Sequence, residues 1–230
     1  MLLDIVIPSL DRIDKLERCL NSIFLSKGII DTINIYLYFS LDKDYNYFYN
    51  TFKDIPNVFI KRVDNYRVPT FWNDHLKQTK ADALCYANDD ILFEEDSLET
   101  ALKEFKLKFP DGDGVMGLRQ ANIPQDQAVE GAFGFIGIKY ADHFPDRQVF
   151  CLDYLRFYAD FELWQSAKQS NKFYYCTTAR IRHLHPAFGG GVEDDTHKNV
   201  RQHLPKDKIT FQQRKARNLL WGKTWELINA

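Results

Sequence analysis

Residues 83–91 run Ala83-Leu84-Cys85-Tyr86-Ala87-Asn88-Asp89-Asp90-Ile91, and their reading decides the fold. The apolar stretch 83–87 has the length of a strand buried on both faces, as strands of a parallel sheet are. The chain then turns at once through an amide and two carboxylates. Upstream, the same pattern recurs. Leu3 to Pro8 is a short apolar run, followed by Ser9-Leu10-Asp11, a helix start. Ile13, Leu16, Leu20, Ile23 and Phe24 then repeat at helical spacing. Ile33 to Phe39 and Val58 to Val63 read as further strands, and Asp44 to Phe52 and Thr70 to Gln78 as the helices between them. Downstream, Asp96 or Ser97 opens a helix with Leu98, Ala101, Leu102, Phe105 and Phe109 on one face, closed by Pro110-Asp111-Gly112.

This alternation predicts an α/β fold with a mostly parallel central sheet flanked by helices. Ligands of such sheets bind beyond the carboxyl ends of the strands. Four polar segments fall at such ends: Pro8-Ser9-Leu10-Asp11, Ser40-Leu41-Asp42, Asp64-Asn65-Tyr66-Arg67 and Asn88-Asp89-Asp90. They are expected to share one edge and one site. The second half is less regular. Val115 to Leu118, Ala132 to Ile138, Phe173 to Cys176 and Ala179 to Leu184 read as strands, and Ala159 to Lys168 as a helix. Gly189-Gly190-Gly191 marks a loop. A basic helical tail around Arg214 to Leu227 carries Lys215, Arg217, Lys223, Trp221 and Trp225, with Lys206 and Lys208 just before it.

The bulk numbers bound the class. A chain of 230 residues, 45% hydrophobic and 27% charged, can bury a sizeable core. A net charge of −2 argues against coating nucleic acid by charge alone. Cys19, Cys85, Cys151 and Cys176 form no Cys-x-x-Cys pair, which argues against a zinc ribbon and for a reducing compartment. The first residues have neither a basic leader nor a small-residue cleavage site, and Asp4 and Pro8 interrupt the apolar run. A cytoplasmic protein without a transmembrane segment is expected.

Two carboxylates at a strand end suit a hard divalent cation, which takes oxygen ligands. A solvated turn has the same composition. Tyr158-Ala-Asp-Phe-Glu-Leu-Trp sets Asp160 and Glu162 at a helix start, where an acid also favours the helix dipole. In Arg182-His183-Leu184-His185-Pro186, an extended chain would place both imidazoles on one face. Either could be a third ligand to a Mn-type ion.

Leu3 to Arg12, together with Tyr86-Ala-Asn-Asp-Asp-Ile, resembles the start and the metal motif of family 2-like glycosyltransferases of the GT-A fold. Ala87 stands where that motif carries its first Asp. The resemblance extends over residues 3–196 and implies transfer of a sugar from a nucleoside diphosphate, UDP first among candidates, to an acceptor hydroxyl. It implies Mn²⁺ or Mg²⁺ on Asp89 with His183 or His185, and donor contacts from Pro8, Ser9, Asp11, Asp42, Arg67, Asn73, Asn88 and Asp90. Asp11 suits a helix cap equally, and Asp42 a turn. Asp160 matches the catalytic base, with Glu162 in reserve, and inversion follows from that match. The division implied is a transferase domain over 1–200 and a basic tail over 201–230.

His183-Leu-His-Pro, Gly190 and Asp194-Asp195-Thr196 further resemble compact glycosyltransferases encoded by bacteriophages. That implies the host cytoplasm and admits modified bases in DNA as acceptor beside a glycan. A basic, aromatic tail would suit that contact. Two other readings stay open. A nucleotidyltransferase would want a Gly-rich loop after the first strand, where Pro8-Ser9-Leu10-Asp11-Arg12 stands. Ala87 favours a nucleotide-sugar-binding module that has lost catalysis.

Overall fold

The computed structural model describes residues 1–25, 32–64, 67–124, 126–186 and 191–219. Asn65, Tyr66, Gly189, Gly190 and the tail from Leu220, with Trp221, Lys223 and Trp225, lie outside the described residues. The strands are β1 (Leu3–Ser9), β2 (Ile33–Phe39), β3 (Val58–Arg62), β4 (Ala83–Tyr86), β5 (Ile91–Phe93), β6 (Val115–Gln120), β7 (Gly134–Gly137) and β8 (Phe173–His183). The helices are α1 (Ile13–Phe24), α2 (Asp42–Phe52), α3 (Val68–Gln78), α4 (Ser97–Lys108), α5 (Ile138–Ala141), α6 (Ala159–Gln169), α7 (Asp195–Arg201) and α8 (Leu204–Ala216).

The strands form one sheet in the order β3-β2-β1-β4-β7-β6-β8-β5. β1 to β4 are mutually parallel, so the ends of all four lie on one edge. β7 runs antiparallel to β4 and to β6, and β5 antiparallel to β8. β1 is buried at every position, its polar Asp4 and Ser9 included. α1 buries Leu16, Cys19, Leu20 and Ile23, one face of its apolar periodicity. At about 1.5–3 kcal/mol for each large apolar side chain, that face fixes the helix on the sheet. One core lies under α1, α2 and α4, and the other under α3, α5, α6 and α8. Among the described residues, no helix is long and apolar enough to cross a membrane.

Three readings change. The two strands expected over 173–184 are one. Leu118 pairs with Cys176, but its neighbour Arg119 pairs with Arg180, so residues between them bulge and the strand continues. Asp11 does not cap α1. It has a left-handed φ of 54°, and the cap position belongs to Arg12 without a side-chain hydrogen bond. Residues 204–216 do not stand apart as a basic tail. α8 buries Asp207 and Phe211 against the body, and Arg214 pairs with Glu162 and Asp153.

Candidate active site

Asp89 and Asp90 follow β4 at the edge where the parallel strands end. Both are buried, at 3% exposure each. Asp89 is fully engaged: Ser9 Oγ donates to Oδ2 at 2.8 Å and Arg12 Nη1 to Oδ1 at 3.1 Å. Arg12 also lies 3.4 Å from Asp90 Oδ2 and 3.1 Å from Asp194 Oδ2. Burial alone would lower the Arg12 pKa, but Asp89, Asp90 and Asp194 outweigh it and raise it. The guanidinium is therefore a permanent cation beneath the acidic turn.

Asp90 faces the other way. The three residues of β5 pair with the end of β8, Ile91 opposite His183, and Leu184 N donates to Asp90 O at 2.7 Å. That pairing carries the histidine segment to the acidic turn. His183 Nε2 lies 3.5 Å from Asp90 Oδ1, and His197 Nε2 lies 3.8 Å from Oδ2. Burial opposes the Asp90 charge, yet His183, His197 and Arg12 hold its carboxyl well below the usual range. His183 Nδ1 sits 3.2 Å from Gln120 Oε1, which fixes the ring between Gln120 and Asp90. His185 lies between the other two imidazoles, tilted against His183 with centroids 5.3 Å apart and edge-on to His197 at 4.8 Å. Burial, then His183, brings its pKa down to about 4, so it is neutral at pH 7.

These groups open on a cavity of about 390 Å³. Arg12, Asn88, Asp90, His183, His185 and His197 form one wall. Trp72, Phe133, Phe157 and Tyr158 form an aromatic side, with Arg156, Asp160, Arg201 and Leu204 completing the enclosure. Asp160 stands in the first turn of α6, and burial raises its pKa to about 6 against the backbone N–H groups of Phe161 and its own residue. A carboxylate near 6 is suited to accept a proton at neutral pH.

The remaining sequence candidates sit elsewhere. Glu162 is buried under Arg214, with Nε to Oε2 at 2.9 Å and Nη2 to Oε1 at 3.0 Å, and Tyr154 also donates to it. It points away from the cavity and cannot replace Asp160. Asn73 clamps the Phe150 backbone, donating at 2.7 Å and accepting at 2.9 Å. Arg67 donates to the carbonyls of Leu152 and Tyr154. Asp42 is exposed and pairs with Arg62, and Asp11 with Lys43, both at the sheet edge. Pro8 lies within β1, and Ser9 reaches only Asp89.

Arg12 and His197 are the functional candidates that the motifs did not single out. Asp194 unites them: it accepts from Arg12 Nη2 at 3.1 Å and Lys15 at 2.6 Å, and caps α7 through His197 N at 2.8 Å. An Asp followed by His at the third helical position was the one signal in the sequence.

Among the described residues, no three His, Cys, Asp or Glu side chains are gathered to hold a metal. Donor chemistry nonetheless fits at Asp90. Its Oδ1 and the Nε2 of His197 are buried without a hydrogen-bond partner. At Asp89 both oxygens already accept, one from Ser9 and one from Arg12.

No family model matches the chain, and no curated protein sequence matches it. Solved structures do. S. aureus TarS superposes with a TM-score of 0.59 at 12% identity, over 79% of this chain and 36% of that one. TarS 1–349 in complex with UDP gives 0.58 at 12%, over 79% and 59%. The mannosyltransferase PcManGT from Pyrobaculum calidifontis, in complex with GDP-Man and Mn²⁺, gives 0.68 at 10%, over 97% and 69%. This chain thus spans little more than a third of the full TarS chain. The likeness shows the fold, a GT-A-like α/β glycosyltransferase fold.

Proposed function

We propose that this chain transfers a sugar from a nucleoside-diphosphate sugar to an acceptor hydroxyl, with inversion. One observation carries the reading: one cavity at the parallel edge is lined by Asp160, with its raised pKa, and by Asp90 and three imidazoles. The neighbours complexed with UDP and with GDP-Man and Mn²⁺ support it.

In this reading Asp160 takes the proton of the acceptor hydroxyl as its oxygen bonds the anomeric carbon. The bond from that carbon to the diphosphate oxygen breaks, and the nucleoside diphosphate leaves with the electron pair. Asp90 and His197 would hold Mn²⁺ or Mg²⁺, which would supply positive charge for the leaving diphosphate. Arg12 offsets the charge of Asp89 and keeps the turn in place. Arg156 and Arg201 give the cavity cationic walls suited to phosphate oxygens. Trp72, Phe133, Phe157 and Tyr158 give the cavity an aromatic lining that suits a sugar or a base. Arg214, part of the basic stretch that suggested DNA, is spent on Glu162 and Asp153. The four free buried cysteines agree with action in a cytoplasm, that of a host if a phage encodes the chain.

The test is a panel of UDP- and GDP-sugars with Mn²⁺, following donor hydrolysis and transfer to oligosaccharides and to hydroxymethylated DNA. Turnover of any donor that Asp160→Asn suppresses supports the enzyme. Donor binding without turnover would make the chain a binding module.

A further inference from the structure

Helix α8 carries a fully buried acid that the reaction does not use. Asp207 is 0% exposed. Its carboxylate accepts three successive backbone N–H groups: Leu155 at 2.9 Å, Arg156 at 2.9 Å and Phe157 at 2.8 Å. Three donors converging on one carboxylate fix the path of the loop that carries them. Arg156 and Phe157 of that loop line the cavity, as does the next residue, Tyr158.

Two more contacts continue along the same face of α8. Tyr158 is held at a left-handed φ of 69°, a conformation that costs an aromatic residue strain. It stacks on Phe211 at 5.2 Å between centroids, with 20° between the planes. Arg214 then grips Glu162 of α6. Positions 207, 211 and 214 are spaced i, i+4, i+7, one face of one helix. This face braces the loop and the helix that bear Arg156 and Asp160. The charge of Arg156 also bears on Asp89, and both Arg156 and Asp90 line the cavity.

We propose that Asp207 is a positioning residue: by clamping the backbone at 155–157, it aims Arg156 at the diphosphate of the bound donor. The proposal rests on the donor reading above. A purely structural brace would alter stability and leave the affinity of the folded protein unchanged.

A double-mutant cycle on the whole chain separates these. Pyrophosphate, with and without Mn²⁺, is titrated by calorimetry into the wild type, Asp207→Asn, Arg156→Ala and the double variant. Loss of a charge-assisted contact predicts about 10-fold weaker binding in each single variant. The double variant should be no weaker than Arg156→Ala, because Asp207 acts through Arg156. If Asp207→Asn does not fold, Asp207→Glu, which keeps the charge and both acceptors but shifts them by a methylene, carries the same cycle. Wild-type affinity in a folded Asp207 variant, independent losses that multiply, or no pyrophosphate binding by the wild type each overturn the proposal. Should the wild type bind pyrophosphate with this coupling but no nucleotide sugar, the sugar-transfer reading fails and the positioning role stands.

Discussion

At the scale of single residues, Asp160 and the Asp89–Asp90 pair carry the sharpest expectations. Asp160→Asn should lower kcat by about 10²–10⁴-fold while the donor Kd stays near that of the wild type. A base works only when unprotonated, so wild-type kcat should rise with pH through about 6 and level off above it. A pH profile of single-turnover rates reads this, and the limb should vanish in the Asn variant. Asp90→Asn should weaken Mn²⁺ binding in the presence of donor more than Asp89→Asn does. Asp89→Asn should act on stability instead. It leaves Arg12, only 5% exposed, with one charged partner fewer while Asp90 and Asp194 remain, at a cost of about 1–3 kcal/mol. Manganese titration and urea unfolding of both variants decide the division. The place of Asp160 in the first turn of a helix was legible in Tyr158-Ala-Asp-Phe-Glu-Leu-Trp, while its role as base rests on the family resemblance. Two carboxylates in a row gave no sign of which faces the cavity. That depends on Arg12, which lies far off in sequence and takes the first carboxylate for itself.

At the scale of elements, β1, β2, β4, α1 and α6 were readable because burial on one or both faces imposes a period. β5 was not, since three residues cannot show one. Yet β5 is what brings His183 against Asp90. α7 was missed for a related reason: it is short and polar, and what specifies it is a cap rather than an apolar stripe. α8 was not read as a separate helix because its anchors are a buried Asp and an Arg, residue types that composition assigns to the surface. Two expectations belong here. Glu162→Gln should lower stability by about 3–5 kcal/mol, since Arg214 loses its main partner; combining it with Arg214→Met should recover part of that loss. Asn73→Ala should cost about 1–3 kcal/mol by freeing both backbone groups of Phe150. Thermal unfolding of the four variants reads both, and a fall in Tm for Asn73→Ala with unchanged nucleotide affinity would make Asn73 a fold residue rather than a donor contact.

At the scale of the whole molecule, one buried polar network ties the first strand to α3. Asp4 accepts from His75 Nε2 at 2.8 Å, from Asn34 Nδ2 at 2.9 Å and from Thr79. Burial would raise its pKa, but these hydrogen bonds, led by that of His75, lower it. A lowered folded pKa gives stability that is present above the unfolded value near 3.9 and lost as pH falls through the folded one. Asp4→Asn should therefore destabilise at pH 7, by about 1–3 kcal/mol, and the difference from wild type should shrink at pH 3 when urea midpoints are compared. The order of the sheet has a consequence in time. β5 pairs only with β8, which begins roughly 80 residues later in the chain. On a ribosome adding about 5–20 residues per second, that is on the order of 4–16 s. During this interval Ile91-Leu92-Phe93 has no strand to bond, and a nascent chain in that state offers an apolar edge to any passing chaperone or to its own neighbours on the polysome.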